Sequence, residues 1–357
     1  MTHSQDDLRI TQKIFELINK AGVYSIADIY YQISHDARFS GISLDDVIDG
    51  AETLVNASDL FTLSEDLADL VTHHEYTPLS AKQIFSGMDT GLKRKFVIDC
   101  QFVTDSTNTI LEKHRLDNLG RFDDKEDSEG NETTQKKAAI AVAEMQTGGR
   151  GRRAKRWVSP LAKNLYFSFK YHFPQSVLPH LSSLSMRAGI VLLEALKDLG
   201  LQGAKLKWPN DIWIDGKKLA GILVESTVTR SGIDIIIGIG VNNQYDRSLS
   251  VIGNHPTCCE AELGKALDRN RLVALLGVKL YRLCEQMEYA PVTLPDLMLL
   301  WPAHSYFYGQ KVQLHSDNDL IVGEEVGINE NGALMIRLES GEVRALFSGD
   351  LSLRAYC

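Results

Sequence analysis

A chain of 357 residues with 44% hydrophobic content and a formal charge of −9 has room for two or three domains and is too apolar to be disordered. Its five cysteines are odd in number and contain no C-x-x-C pair, which argues against a disulfide framework and against a zinc site. The polar N-terminus MTHSQDDLRI has no apolar signal core, and the run Ile233 to Val241 is broken by Asp234 and too short to span a bilayer, so a cytoplasmic location with no membrane partner is expected.

Leu8 to Lys20 places Ile10, Ile14, Leu17 and Ile18 on one helical face and closes at Ala21-Gly22. Ser25 is placed to cap a second helix with Ile26, Ile29, Tyr30 and Ile33 inward, and Ser43 to cap a third from Leu44 to Val55. With a short strand at Leu60 to Leu63, three helices and a hairpin suggest a winged helix-turn-helix, a frequent DNA-binding module. The charges oppose that use. Residues 1 to 75 hold four cations against fourteen carboxylates, a net of −10, and the third helix carries Asp45, Asp46, Asp49 and Glu52 with no cation. Affinity for DNA depends on cations displacing counterions from phosphates, so a helical unit for packing or protein partners is favoured over DNA binding.

Thr77 to Gly91 reads as a linker with a short helix from Ser80. Lys95 to Val103 alternates as a strand and runs into Asp105-Ser106-Thr107-Asn108, whose hydroxyls and amide suit a small polar ligand, or equally a turn or helix cap. Asp117 to Lys137 is acidic, polar and read as a solvated loop. Two strands follow, Ala138 to Met145 and Asn164 to Tyr171. Between them lies Q-T-G-G-R-G-R-R-A-K-R-W, from Gln146 to Trp157, with three glycines and five cations in twelve residues. Glycines let backbone approach a ligand closely, and arginines fork onto phosphate oxygens, so the loop suits an anionic small molecule and is expected to be mobile when empty. Alone it reads equally well as an exposed basic loop or a nucleic-acid patch.

Beyond the loop, His180 to Leu199 has helical spacing, and Lys207-Trp208-Pro209-Asn210-Asp211 forms a stiffened turn that sets an amide and a carboxylate at its edge. Three strands, Ile212 to Ile214, Lys218 to Thr227 and Ile233 to Asn242, then meander, with a hairpin signal at Asp215-Gly216. Gly238 and Gly240 clear one face of the last strand for something to press against it. Arg269 to Met287 is an amphipathic helix that Leu294 to Trp301 extends, and the last fifty residues alternate as short strands with turns at Asn331-Gly332 and Ser340-Gly341, the pattern of an SH3-like β-barrel.

With the arginine loop, K-W-P-N-D, K-L-A-G-I-L-V-E, G-I-G-V-N-N and G-D-L-S-L-R in this order, the chain resembles the bacterial biotin protein ligases from Lys95 to Arg354. It has the layout of their longer form, in which an N-terminal winged helix lets members double as biotin operon repressors. The fold implied is α+β: a winged-helix-like domain at 1–76, a mixed α/β catalytic domain of biotin/lipoate ligase type at 77–300 and an SH3-like domain at 301–357. The activity implied is formation of biotinyl-5′-AMP from biotin and ATP with Mg²⁺, then transfer of biotin to a lysine of the biotin carboxyl carrier protein of acetyl-CoA carboxylase. A homodimer and operator DNA are further partners that the resemblance leaves open.

The resemblance places Ser106, Thr107 and Gln146 at the ureido and carboxylate ends of biotin, with the Gly238 and Gly240 strand against its rings. It places Arg150, Arg152 and Arg153 on phosphates, Lys218 between carboxylate and α-phosphate, and Asn210, Asp211 and Asn242 beside the nucleotide, with Arg354 reaching in from the terminal domain. Asn108, Gly149, Trp157, Lys207 and Gly221 complete the binding set, and Arg150, Arg152 and Lys218 are its catalytic members. Taken singly, Lys218 also reads as a solvated strand end, Gly238 as a packing glycine, and Trp157 and Trp208 as core. One departure stands inside the best motif: family loops commonly read G-R-G-R-R-G, whereas Ala154 and Lys155 follow Arg153 here, and a β-carbon at 154 disfavours positive φ. A lipoate ligase, a cousin in fold, is disfavoured because the loop and K-W-P-N-D belong to the biotin branch.

Overall fold

The computed structural model describes residues 5–113, 138–248, 256–289, 294–315, 320–347 and 352–355. The acidic stretch assigned to Asp117–Lys137 lies outside them.

The chain begins with helix α1 (Gln5–Leu17), strand β1 (Gly22–Ser25), helices α2 (Ile26–Ser34) and α3 (Leu44–Ala57), and strands β2 (Phe61–Leu63) and β3 (Asp69–Thr72). Both predicted caps are present. Ser25 accepts from the Asp28 amide, and Ser43 and Asp46 cap each other reciprocally, which satisfies amide donors that a helix start otherwise orphans. Ile10, Ile14, Ile29, Ile33, Val47 and Leu54 are buried in one core. The hairpin is part of a three-stranded antiparallel sheet in the order β1-β3-β2, because Gly22–Ser25, expected only as the join between two helices, pairs with Asp69–Thr72.

After short helices α4 (Ala81–Ser86) and α5 (Thr90–Lys93) comes the central sheet. Its strands are β4 (Phe96–Thr104), β5 (Ala138–Gln146), β6 (Leu165–Phe173), β7 (Lys205–Lys207), β8 (Asp211–Ile214), β9 (Lys217–Val228) and β10 (Ile233–Val241), and helix α6 (Thr107–Lys113) follows β4. Their order is β4-β5-β6-β10-β9-β8-β7, and only the β4–β5 pairing is parallel. Alternation sorts the two faces. Leu165, Phe167, Phe169, Tyr171 and Phe173 of β6 enter the main core, together with α7 (Leu184–Asp198) and α9 (Arg269–Tyr289). The 24-residue helical stretch Gln175–Asp198 is long and apolar enough to cross a membrane, and is a longer apolar stretch than Ile233–Val241; most of it is buried inside the protein. The opposite face of the sheet carries small residues where β6, β9 and β10 meet, with Gly240 beside Gly221 and Gly238 beside Ser168. That strip is the floor of the site.

Helix α8 (Cys259–Leu263) precedes α9, and α10 (Leu294–His304) leads into the last strands, β11 (Lys311–His315), β12 (Leu320–Ile328), β13 (Leu334–Arg337), β14 (Val343–Leu346) and β15 (Ser352–Ala355). Their order is β14-β13-β12-β11-β15. Among the described residues this is an open five-stranded sheet and not the expected closed barrel. The two edge strands have four residues each, too short to wrap round and meet, and Val343 on β14 is 45% exposed.

Two sets of contacts tie the N-terminal elements to the rest. Arg269 donates to Glu144 at 2.7 Å and to the Thr77 carbonyl at 3.0 Å, while Asn270 donates to the Pro78 carbonyl at 3.0 Å, so the segment read as a linker is strapped to α9. Leu161 and Ala162, just past the arginine loop, are buried in the N-terminal core, and the adjoining Lys163 pairs with Asp59 at 3.1 Å.

Candidate active site

A cavity of about 830 Å³ opens above the glycine strip. Every site residue expected from the sequence lines it except two. Gly149 sits behind the wall, where a Cβ would meet the Trp157 carbonyl at 2.5 Å, so its role is close packing of the loop. Arg354 lies on β15 opposite Gln313, which does line the cavity; the Arg354 side chain is outside the described residues.

One end is a hydrogen-bonded network built on the start of α6. The Thr107 amide donates to Gln146 Oε1 at 2.9 Å, and Gln146 Nε2 donates to Ser159 Oγ at 3.1 Å. Ser168 Oγ lies 2.7 Å from Thr107 Oγ1 and 2.5 Å from Asn108 Oδ1. Ser106, Thr107, Asn108 and Gln146 are all buried, as is Lys170, which donates to the Leu111 carbonyl at 3.2 Å and pins the far end of the helix. These groups are fixed in place before any ligand arrives, which suits recognition of a small polar ring.

Gly238 and Gly240 are pressed on by the protein itself as well as lining the cavity: a Cβ at Gly238 would lie 2.5 Å from Asn108 Oδ1, and one at Gly240 2.4 Å from Trp157 Cε2. Trp157 is therefore no core residue. Its indole is half-buried, roofs Gly221 and Gly240, and has a buried N–H without an acceptor among the described residues. Trp208 is core, as read, and donates to the Gly332 carbonyl at 3.2 Å.

The arginine loop is a folded hairpin. Gly151 and Lys155 are joined backbone to backbone at 2.6 Å, and Arg150 bridges Arg156. Arg153 and Ala154 at its tip both have φ of +55°, the pattern of a type I′ turn. Arg152 reaches across the cavity to Asn210 Oδ1 at 3.1 Å; burial and the neighbouring Arg153 lower its pKa, with Asp211 opposing. Arg150 is held by Glu112 at 2.5 Å and Glu225 at 3.0 Å. Burial works to lower its pKa, but the hydrogen bond it donates to Glu112 and the charge of Glu225 raise it overall.

At the other end, Lys218 Nζ donates to Asp211 at 2.7 Å and lies 5.5 Å from the Trp157 ring centre. It is no solvated strand end, its side chain being 19% exposed. Asn210 is fixed by donating to the Ile222 carbonyl at 2.7 Å, and Asn242 by donating to the Thr257 carbonyl at 3.0 Å. Lys207 sits 3.8 Å from the ring centre of Trp213, a cation–π contact that the sequence pattern did not foretell. Trp213 in turn packs on Tyr306, whose hydroxyl accepts from the Gly216 amide at 2.6 Å. Sequence reading also missed Ser168, Ser159, Glu112 and Glu225. Only Glu225 had a signal, as the last residue of K-L-A-G-I-L-V-E.

A polar pocket at one end, an arginine hairpin over the middle and a lysine–carboxylate pair at the other end define a ligase that joins a small carboxylic acid to a nucleotide phosphate. Residues 102–242 match the Biotin/lipoate A/B protein ligase family, and residues 307–354 match the Biotin protein ligase C terminal domain. The chain is 34% identical over 278 residues, 78% of each length, to the bifunctional ligase/repressor BirA of Escherichia coli. It is 30% identical over 213 residues, 57% of this chain and 86% of the relative, to the biotin acetyl-CoA-carboxylase ligase of Paracoccus denitrificans. The biotin protein ligase of Aquifex aeolicus, solved in complex with biotin and ATP, matches 72% of this chain and 99% of its own at 25% identity and a TM-score of 0.52. The chain belongs to the biotin/lipoate A/B protein ligase family.

Proposed function

We propose that this chain is an ATP-dependent biotin protein ligase that biotinylates a lysine of the biotin carboxyl carrier protein of acetyl-CoA carboxylase in the cytoplasm, with residues 1–76, 77–300 and 301–357 as its three units. One observation carries the reading: a single cavity joins the Thr107–Gln146 network to the arginine hairpin and the Lys218–Asp211 pair. In the first step a carboxylate oxygen of biotin attacks the α-phosphorus of ATP, the bond to the β-phosphate breaks, and pyrophosphate leaves with its electron pair. Charge gathers on the phosphate oxygens, where Arg152, Arg153 and Lys218 offset it without having to reorganise. In the second step the carrier amine attacks the acyl carbon and expels AMP. Trp157 and the hairpin cover the mixed anhydride against water.

Among the described residues no group of three or more His, Cys, Asp or Glu stands together as a metal site. Magnesium would enter with ATP, held mainly by phosphate oxygens, as is usual for this ion. The test is incorporation of biotin into a purified carrier domain with Mg-ATP; no transfer overturns the reading, and transfer of lipoate in its place redirects it to the lipoate branch.

A second reading, biotin-dependent operator binding, has the element order of the N-terminal region behind it: α1, β1, α2, α3, β2, β3 is the order of a winged helix. Against it, the exposed face of α3 is Asp45, Asp49, Glu52 and Asn56, a stripe that repels phosphate. Fluorescence anisotropy on DNA from upstream of biotin synthesis genes, with and without biotin and ATP across a salt series, separates the two. Binding that tightens with biotinyl-adenylate and weakens steeply with salt makes the protein bifunctional; no binding at low salt leaves an enzyme only.

A further inference from the structure

We propose that Glu225 is a positioning residue that couples the polar floor of the cavity to the arginine hairpin, through Asn108 on one side and Arg150 on the other. This rests on the ligase reading above.

A single oxygen of Glu225, Oε2, accepts from Asn108 Nδ2 at 2.6 Å and from Arg150 Nη2 at 3.0 Å. The orientation of Asn108 is not arbitrary. Its Oδ1 accepts from Ser168 Oγ at 2.5 Å, and flipping the amide would turn that oxygen onto the Glu225 carboxylate. Asn108 is also packed against the bare backbone of Gly238, so it cannot shift without disturbing the floor. On the loop side, Nη2 of Arg150 serves both Glu225 and Glu112, which uses both of its hydrogens and fixes the guanidinium plane. Among the described residues Nε and Nη1 donate to no side chain, which leaves them for phosphate oxygens.

Stability is not the purpose of this arrangement. The carboxylates of Glu112 and Glu225 are 42% and 35% exposed, and ion pairs in that setting contribute little. What the geometry does supply is a continuous path from Gln146 through Thr107, Ser168, Asn108 and Glu225 to Arg150. A ligand that hydrogen-bonds to the floor thereby strengthens the hold on the arginine that covers the phosphate, so filling the biotin end and holding the adenylate are linked.

Glu225→Gln and Glu225→Ala in the full chain separate this role from a merely structural one. A glutamine still accepts from Asn108 but no longer attracts Arg150. Biotin affinity by calorimetry without ATP should therefore stay within about threefold of wild type in Glu225→Gln, while escape of biotinyl-adenylate into solution rises about tenfold or more. In Glu225→Ala escape should rise as well, and biotin affinity should fall by about tenfold, since Asn108 is left without its acceptor. Wild-type escape from Glu225→Gln overturns the coupling, as does equal loss of biotin affinity in the two variants. A wild-type chain that forms no biotinyl-adenylate overturns the ligase reading instead, so the two failures are distinct.

Discussion

Lys218 on β9 reaches along the sheet to Asp211 on β8, with Nζ 2.7 Å from Oδ1 and both side chains about four-fifths covered. The carboxylate holds the ammonium at the end of the cavity away from the Thr107–Gln146 network. Lys218→Ala should slow pyrophosphate release by about 10²- to 10³-fold, the usual loss when one preorganised charge donor is removed. Asp211→Asn should cost about tenfold, because the lysine remains but is no longer aimed. Equal rates for Lys218→Ala and wild type would remove the lysine from the chemistry.

Gly240 keeps the indole of Trp157 in place by having no side chain. Gly240→Ala puts a methyl group 2.4 Å from Cε2, and since Trp157 lies on the loop and not in the core, the ring should swing out while the fold stands. The expected result is a biotin KM raised about tenfold or more with a loss of global stability near the low end of the roughly 1–3 kcal/mol of core overpacking. An unchanged KM would mean that Trp157 does not shape the biotin end.

Ala154 has a left-handed backbone with φ of +55° at the second central position of the hairpin turn, where glycine is the favoured residue. The loop keeps the turn despite the β-carbon and carries the strain, about 1 kcal/mol. Ala154→Gly should relieve it and slow adenylate escape by about fivefold. Faster escape from this variant would show that the tip opens for other reasons.

Glu325 on β12 is fully buried, with both donors, Trp301 Nε1 at 2.9 Å and Ser305 Oγ at 2.5 Å, on the same oxygen. Its Oε2 has no hydrogen-bond partner among the described residues. Burial raises its pKa above the ordinary 4.5, and the two hydrogen bonds only partly oppose this. A carboxyl whose folded pKa is raised lends its stability in full below 4.5 and loses it as pH climbs through the folded value. Glu325→Gln should flatten this part of the pH profile and raise stability at pH 8 by about 1–3 kcal/mol. Thermal melts of both proteins between acid and mildly basic pH decide it; parallel profiles would show that the group does not titrate in this range.

Much of this site was legible because its parts are local in sequence. The loop and K-W-P-N-D each fall within a dozen residues, the glycine-bearing strands follow one another in a single meander, and period-two alternation located β4 and β6. What escaped reading depends on distance. Strand β1 is four residues long with Val23 66% exposed, so it shows no pattern until β3 arrives to pair with it. Glu225 stands in a recognisable motif, yet its partners are 117 and 75 residues away. Closure of the last sheet is likewise a matter of edges meeting, which no alternation of side chains encodes.

The burial of Leu161 and Ala162 in the N-terminal core bears on how this protein can be cut. The first seventy-five or so residues resemble a detachable module in sequence, and removing them would be the ordinary way to obtain a catalytic fragment. Here that cut would strip the cover from Leu161, Ala162, Phe102 and Met145 and leave Lys163 without Asp59. The fragment would show a new apolar patch beside the arginine hairpin and should tend to aggregate. Any activity it lost would then record a damaged surface, and would say nothing about a regulatory duty of the missing part.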